Sequence, residues 1–374
     1  MTLAAAFTDR FQRFLLPGLA FKGVIIGGGY ATGRELAEFF LPAGPWGGLT
    51  GIAIAMLLWS ATCALTFLLA HRLKAYDYRT FFTNLLGRGA IAFELVYCIF
   101  LVLILAVFGA AAAAIGTATL ALPPLAGTLA LMIAIALVTA FGNSAVERLF
   151  TWASLLLYTV YVAFLVFALD SFGSRIAETY AHAQLSTGNW LFGGVTYAGY
   201  NIIGAVMVLP MLRHLTGKRD AVIAGLLAGP LAVLPAVLFF ISMAAFTPQI
   251  AGLVLPSDFL LTQMGRPLFH AAFQTMIFAA LLESGVGGVH ALNERLVTVW
   301  VHHRGAPPGA ATRGLFTIAL LSLCMLIADR IGLVTLIAQG YRALSLAIIL
   351  VFVLPLFTLG AWQMMRRTPP SEVS

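Results

Sequence analysis

The chain has 374 residues, of which 61% are apolar and only 9% are charged. An ordinary soluble domain carries about 25% charged residues, so the composition excludes a soluble globular protein and indicates a polytopic membrane protein. The formal net charge of +7 does not indicate nucleic-acid binding, because the basic residues are scattered through short segments between apolar runs, as membrane topology requires.

Ten apolar segments follow one another along the chain, and a membrane-spanning helix needs about 20 such residues; the ninth segment, 315–327, reaches this length when it is extended a few residues each way. The segments are 14–41, 46–69, 91–120, 125–141, 149–169, 190–212, 221–246, 268–301, 315–327 and 333–362. They predict an all-α membrane protein with ten transmembrane helices in a single domain, 1–374. The two longest connections, 170–189 and 247–267, each have room for a short surface helix.

The distribution of Lys and Arg predicts the orientation of these segments. Of the 21 basic residues, fifteen fall in connections on the side of the N-terminus, three fall on the opposite side, and three lie within the segments themselves. Because cytoplasmic connections carry the excess of positive charge, we expect both termini to be cytoplasmic.

The first segment contains the run GGGYATG at 27–33. Each glycine costs roughly 1 kcal/mol relative to Ala inside a helix, and a broken helix is tolerated at membrane depth only where it faces protein or water. Such an interrupted segment indicates a binding site in a secondary transporter. The alternative is close helix packing through small residues.

The sixth segment repeats this pattern with the run GGVTYAGYNIIG at 193–204. Ten spans divide into two halves of five, and an odd number of spans gives the halves opposite orientations, as in inverted-repeat transporters. We therefore predict a first repeat at about 11–172, a second at about 187–366, and broken helices at equivalent positions one and six.

The run IGGGYATGRE at 26–35 resembles the first-helix signature of the YkvI-like bacterial membrane proteins, and 208–210 (VLP) and 283–288 (ESGVGG) are similar to that family too. The family lies in the amino acid–polyamine–organocation superfamily, which has the LeuT-type fold. The resemblance covers nearly the whole chain. It implies a multi-pass protein of the bacterial plasma (inner) membrane, with alternating access to a solute bound between helices one, three, six and eight.

The ends of broken helices offer a site for a zwitterion. Free N–H groups at the start of a half-helix suit a carboxylate, and unwound carbonyl groups suit a cation. We place the solute carboxylate against the first-segment glycines, with the polar side chains of the sixth segment opposite; for the two tyrosines there, an interhelical hydrogen bond is the alternative. The predicted solute-binding residues are Gly27, Gly28, Gly29, Tyr30, Thr32, Phe108, Tyr197, Tyr200 and Asn201.

Glu283 lies near the middle of the eighth segment, where an ionisable side chain is functional by default. If it takes up a proton on burial, it is a proton-coupling site; the alternative is an ion pair with Arg342. The resemblance also implies a sodium site between first-helix carbonyls and eighth-helix hydroxyls, or Lys22 in place of the ion, although Lys22 could instead extend to the membrane surface. The predicted coupling residues are Glu283, Ser284, Thr275, Gly23, Ile26 and Lys22.

Charged residues after the glycine run suggest an extracellular gate. Arg34 and Glu38 have the i,i+4 spacing of a helical ion pair, and the predicted gating residues are Arg34, Glu35, Glu38 and Arg342. Glu94 is expected either as an interface anchor or in an inner ion pair, and the run NER at 293–295 is interpreted as a helix end in solvent.

Enzyme signatures are absent from the sequence, which has no P-loop, HExxH or GxSxG motif, and no metal or cofactor is predicted beyond a coupling proton or sodium ion. The preferred hypothesis is a secondary active transporter for a small amino-acid-like solute, coupled to protons rather than sodium. The alternative is a ligand-sensing receptor subunit of the same fold. A channel is disfavoured because polar residues are too sparse to line a continuous pore. The lipid bilayer and the solute are the expected partners.

Overall fold

The computed structural model describes residues 10–140, 143–184 and 188–365, and its described residues are helical or lie in turns, with no β-strand among them. The α-helices are α1 (Leu16–Ile25), α2 (Gly28–Ala31), α3 (Arg34–Phe39), α4 (Gly44–Leu73), α5 (Tyr78–Leu86), α6 (Ala90–Leu120), α7 (Pro124–Ala140), α8 (Asn143–His182), α9 (Trp190–Asn201), α10 (Gly204–Met207), α11 (Lys218–Ala244), α12 (Pro256–Met264), α13 (Pro267–Arg304), α14 (Ala310–Ile331), α15 (Leu333–Thr335), α16 (Tyr341–Ile348) and α17 (Ala361–Met365). Short 3₁₀ turns, including Leu209–His214, and π-helical turns, including Leu336–Gly340, join or extend them.

Seven helical stretches of the described chain are long and apolar enough to cross a membrane. The chain is therefore an all-helical multi-pass membrane protein. Three predicted segments are shorter in the structure. The first is divided among α1, α2 and α3, and the sixth between α9 and α10. The fourth contains α7, which has 17 residues and would reach about 26 Å at 1.5 Å per residue.

The long helices pack as two groups. In the first group α4 lies along α11, and α1 and α9 pack against this pair. In the second group α6, α7, α13 and α14 contact one another, and α8 packs on α13. The short helix α2 contacts both α6 and α13, so the interrupted first segment reaches from the first group to the second.

Small residues bring α4 and α11 close together. A Cβ atom at Gly225 would overlap the backbone of Ala64, and one at Gly229 would overlap the Ser60 hydroxyl. That hydroxyl donates to the carbonyl oxygen of Leu226 at 2.9 Å. Close backbone approach through small residues is the usual way in which membrane helices pack.

The connections differ in part from the sequence expectation. The connection 247–267 contains the short helix α12, as expected, whereas 170–189 begins with the last turns of α8, which runs on to His182. The helix α5 lies between the second and third segments and was not predicted. Asp77 caps it by accepting a hydrogen bond from the Thr80 N–H at 2.9 Å, and Asp is among the residues most favoured at that position.

Candidate functional site

The first segment leaves the α-helical conformation at Ile26. This residue has φ −73° and ψ 76°, and the N–H of Gly27 donates to the Ile25 carbonyl at 2.7 Å. The Gly23 carbonyl therefore loses the donor that a continuous helix would supply four residues later. Gly23 and Ile26, the two predicted carbonyl ligands of an ion, thus lie at the end of α1.

A second interruption separates α2 from α3. Gly33 has φ +76°, a left-handed conformation that costs side-chain-bearing residues roughly 1–2 kcal/mol. The Thr32 hydroxyl donates to the Gly29 carbonyl at 3.0 Å, and the Thr32 carbonyl accepts from the Ser257 N–H at 3.0 Å. The turn is thereby attached to the start of α12. Thr32 therefore has a structural role in this turn.

The sixth segment is interrupted by a turn at Ile202 and Ile203, and α10 begins at Gly204. A Cβ at Gly204 would lie 3.0 Å from the Phe21 ring, so the inner part of this segment packs directly on α1. The Asn201 side chain donates to the Tyr197 carbonyl of its own helix at 3.1 Å. The two interrupted segments are therefore neighbours.

Tyrosine side chains surround a carboxylate beside these interruptions. Glu35 is only 3% exposed, and the Tyr200 hydroxyl donates to its Oε2 atom at 2.7 Å. A Cβ at Gly29 would overlap the Glu35 carboxylate. Glu35 was predicted in the gate, but the structure turns it inward to the predicted solute-binding residues Gly29 and Tyr200.

Aromatic rings pack around Tyr197 and Tyr200. The ring centroid of Tyr197 lies 5.0 Å from that of Phe40 and 5.4 Å from that of Trp59, and Tyr200 lies 4.2 Å from Tyr341. Sequence reasoning missed Trp59 and Tyr341. The one sequence feature that could have indicated Tyr341 is its position beside Arg342 in the last segment.

Phe108 covers the first interruption from the second helix group. Its ring lies 3.2 Å from the position that a Cβ at Gly27 would occupy, and the side chain is 2% exposed. The structure therefore brings together Gly27, Gly29, Phe108 and Tyr200 around the first interruption. Gly28 begins α2.

The predicted coupling residues are only partly assembled. Glu283 and Ser284 are half-buried on α13, and Glu283 has no ion pair with any described residue; Arg342 instead pairs with Glu38 at 3.1 Å. Thr275 is exposed, and its hydroxyl donates to Ala271 of its own helix at 2.8 Å. Lys22 is buried in α1.

A charged network lies at the end of the molecule predicted to be extracellular. Arg34 pairs with Glu38 at 2.8 Å and donates to the carbonyls of Ala251 and Leu253, both at 2.9 Å. Glu38 also pairs with Arg342 of α16. We call Arg34, Glu38 and Arg342 the outer network; it borders a cavity of about 260 Å³ and joins α3, α16 and the loop before α12.

A second ion pair lies at the opposite end. Arg295 pairs with Glu94 at 2.8 Å, and its guanidinium lies 4.5 Å and 4.2 Å from the ring centroids of Tyr78 and Tyr97. The interpretation of 293–295 as a solvent-exposed helix end was wrong, because α13 continues to Arg304 and both Asn293 and Arg295 are buried. Arg295 and the tyrosines border a cavity of about 360 Å³.

Comparisons with known proteins agree with this architecture. No profile of a protein family matches the chain. It is 21% identical over 280 residues to the uncharacterized membrane protein YkvI of Bacillus subtilis, covering 74% of this chain and 79% of YkvI. The predicted resemblance to YkvI-like proteins is thereby confirmed.

Solved structures of transporters share the fold. The crystal structure of MhsT in complex with L-phenylalanine matches with a TM-score of 0.59 at 17% identity, covering 92% of this chain and 86% of MhsT. A mutant manganese transporter of Eremococcus coleocola matches with a TM-score of 0.53 at 14% identity, covering 92% and 78%. These matches confirm the LeuT-type helical fold.

Proposed function

We propose that the chain is a secondary active transporter that moves a small amino-acid-like solute across the membrane by alternating access. In this proposal ten spans form two inverted repeats of five, and the interrupted segments are helices one and six. The observation that carries it is that the two glycine-rich segments pack together and place buried polar side chains between two helix groups. Irregular backbone at membrane depth is tolerated where it lines such a site.

The closed outer network supports alternating access. Arg34, Glu38 and Arg342 join α3, α16 and the loop before α12 at the outer end, and a cavity lies beside Arg295 at the opposite end. A transporter needs one side of its site closed while the other opens, and charged pairs can form and break during that exchange.

An organic solute is favoured over a metal ion. MhsT was crystallised with L-phenylalanine, and another structural relative is a manganese transporter, so the fold alone permits both classes. The described residues contain no group of three or more His, Cys, Asp or Glu side chains that could hold a metal.

Proton coupling through Glu283 is part of the proposal. A half-buried carboxylate with no ion pair to any described residue is costly to keep charged. The sodium alternative has weaker support, because the Thr275 hydroxyl is exposed and bonds its own helix, which leaves Ser284 as the single eighth-helix hydroxyl of the predicted set.

Flux into proteoliposomes that contain only this protein tests the proposal. The probes are radiolabelled L-phenylalanine and L-valine and the amines that lack their carboxyl groups, phenethylamine and isobutylamine. We expect saturable uptake of at least one probe, stimulated by an inward proton gradient. Saturable binding without flux of any probe would contradict transport and would favour the ligand sensor.

A further inference from the structure

The Glu35 carboxylate is enclosed at the centre of the fold. It lies on α3 against the backbone of Gly29, is 3% exposed, and accepts a hydrogen bond from the Tyr200 hydroxyl. It does not belong to the outer network, although Arg34 and Glu38 lie on the same short helix. A buried acidic side chain inside the candidate solute site therefore needs its own explanation.

No positive charge of the described chain neutralises Glu35. Its neighbour Arg34 directs its guanidinium to Glu38 and to the Ala251 and Leu253 carbonyls. Phenols from four helices interact electrostatically with the carboxylate, and one of them, Tyr200, contacts it. They are Tyr30 of α2, Tyr161 of α8, Tyr197 and Tyr200 of α9, and Tyr341 of α16. Because burying an unpaired charge is costly, we expect Glu35 to ionise when a cation joins it.

Two of these phenols are also unsatisfied. The hydroxyl groups of Tyr30 and Tyr197 are buried and have no hydrogen-bond partner within the described residues; the two side chains are 1% and 0% exposed. Buried polar atoms nearly always have a partner, so each exception calls for a reason. The described chain has other unsatisfied buried atoms, but these two phenols are the ones that also interact electrostatically with Glu35.

Glu35 and the Tyr30 and Tyr197 hydroxyl oxygens can all accept hydrogen bonds from the same donor group. A carboxylate and phenol oxygens accept hydrogen bonds, an ammonium group has three donors to give, and the neighbouring ring faces of Tyr200 and Tyr341 attract cations. A solute carboxylate, in contrast, would be repelled by Glu35 at the position beside Gly29 where the sequence analysis placed it, since like charges repel strongly in a low-dielectric site.

We propose that Glu35 selects the solute of this site by pairing with the ammonium group of a small organic cation, and that the Tyr30 and Tyr197 hydroxyls accept its remaining N–H groups. The inference rests on the proposed function, and it replaces the zwitterion expected from the sequence with an amine that lacks a carboxylate. In this proposal Glu35 is not a gating residue; it determines the solute specificity.

Binding to the purified full-length protein, measured by calorimetry, tests this assignment with two matched series. One series is phenethylamine, L-phenylalanine and 3-phenylpropanoate, and the other is isobutylamine, L-valine and 3-methylbutanoate. Within a series we expect the amine to bind at least about tenfold more tightly than the amino acid, and the carboxylate to bind most weakly. Glu35→Gln should weaken amine binding by about tenfold to a hundredfold, as loss of a charge-assisted hydrogen bond predicts.

Glu178→Gln is the control, because it removes an exposed carboxylate of α8 that belongs to neither the outer network nor the candidate solute site, and it should leave amine affinity within about twofold. If Glu35→Gln does not fold, Tyr30→Phe and Tyr197→Phe each remove one acceptor oxygen and should weaken the amine several-fold. Unchanged amine binding in both Phe variants would overturn the proposal.

Two further outcomes would also overturn it. One is tighter binding of the amino acid than of its amine in both series, with no effect of Glu35→Gln. The other is unchanged amine binding in Glu35→Gln together with loss of proton-driven flux, which would make Glu35 a proton carrier. If amine binding depends on Glu35 but no probe shows flux in liposomes, the proposed transport would be contradicted and the role of Glu35 in binding would stand.

Discussion

Glu35 and Glu38 belong to the same short helix, yet they face different surroundings. Arg34 and Glu38 share a helix face because they are four residues apart, and their ion pair was predictable from that spacing. Glu35 is turned about 100° from Arg34 at 3.6 residues per turn. Its partner Tyr200 lies 165 residues away in sequence, so its surroundings depend on a packing arrangement that no local pattern contains.

At Glu283 the structure adds a test of coupling. The side chain is half-buried on α13 and has no ion pair with any described residue. If one proton moves with the solute, an inward gradient of one pH unit should drive about tenfold accumulation, since one unit equals 1.36 kcal/mol. Glu283→Gln should abolish this accumulation while saturable exchange of solute across the membrane continues.

The matched control for Glu283 is Glu294→Gln, an exposed acidic residue on the same helix, which should keep proton-driven accumulation. The measurement is the steady-state ratio of internal to external probe in proteoliposomes with and without the gradient. Full accumulation by Glu283→Gln, or its loss in both variants, would contradict a specific coupling role for Glu283.

Among the helical segments, the two interrupted ones were the easiest to predict from the sequence. Clustered glycines lie in both of them. The first segment divides within its glycine run, whereas the sixth divides after Asn201, with Gly193, Gly194 and Gly199 inside α9. In the first segment α2 starts at Gly28, and a second interruption follows at Gly33. Glycine content indicates where a helix can break, but the contacts of Gly33 with α11 and α12 depend on how the folded chain packs.

Gly33→Ala tests the second interruption. Alanine would have to adopt φ +76°, and its Cβ would lie 2.6 Å from the Phe239 ring. We expect destabilisation by about 1–3 kcal/mol from the strained conformation, seen as a melting temperature several degrees lower in detergent. Gly173→Ala is the control, because a Cβ there has open space on α8 and alanine favours a helix. Equal melting temperatures for the two variants would show that the turn at Gly33 is not constrained.

For the whole molecule, composition and apolar runs predicted an all-helical membrane protein, and the fold agrees. The separation into two helix groups was not visible in the sequence. Long apolar helices have nearly uniform surfaces, and which faces pack depends on small residues such as Gly225 meeting Ala64. The same long-range packing brings Arg342 to Glu38. The ion pair between Arg342 and Glu283, which the sequence left open, is therefore not formed.

The outer network is expected to control access from the outer end. Ala37, which is 3% exposed and borders the cavity beside the network, is a suitable reporter when replaced by cysteine. The background variant lacks the three native cysteines, of which Cys63 and Cys324 are buried. Ala37→Cys should react slowly with a membrane-impermeant maleimide while the network is closed.

Glu38→Gln removes the shared acid of both ion pairs in the outer network. The Glu38 side chain is 16% exposed in these pairs, so losing them should cost more free energy than losing a surface ion pair. We expect the labelling rate to rise at least about fivefold, which corresponds to about 1 kcal/mol. Arg266→Ala is the control: it breaks an exposed ion pair with Asp170 at 2.6 Å, and exposed pairs contribute about 0–1 kcal/mol. Equal labelling in Glu38→Gln and its parent, or the same acceleration by Arg266→Ala, would show that the outer network does not close the site.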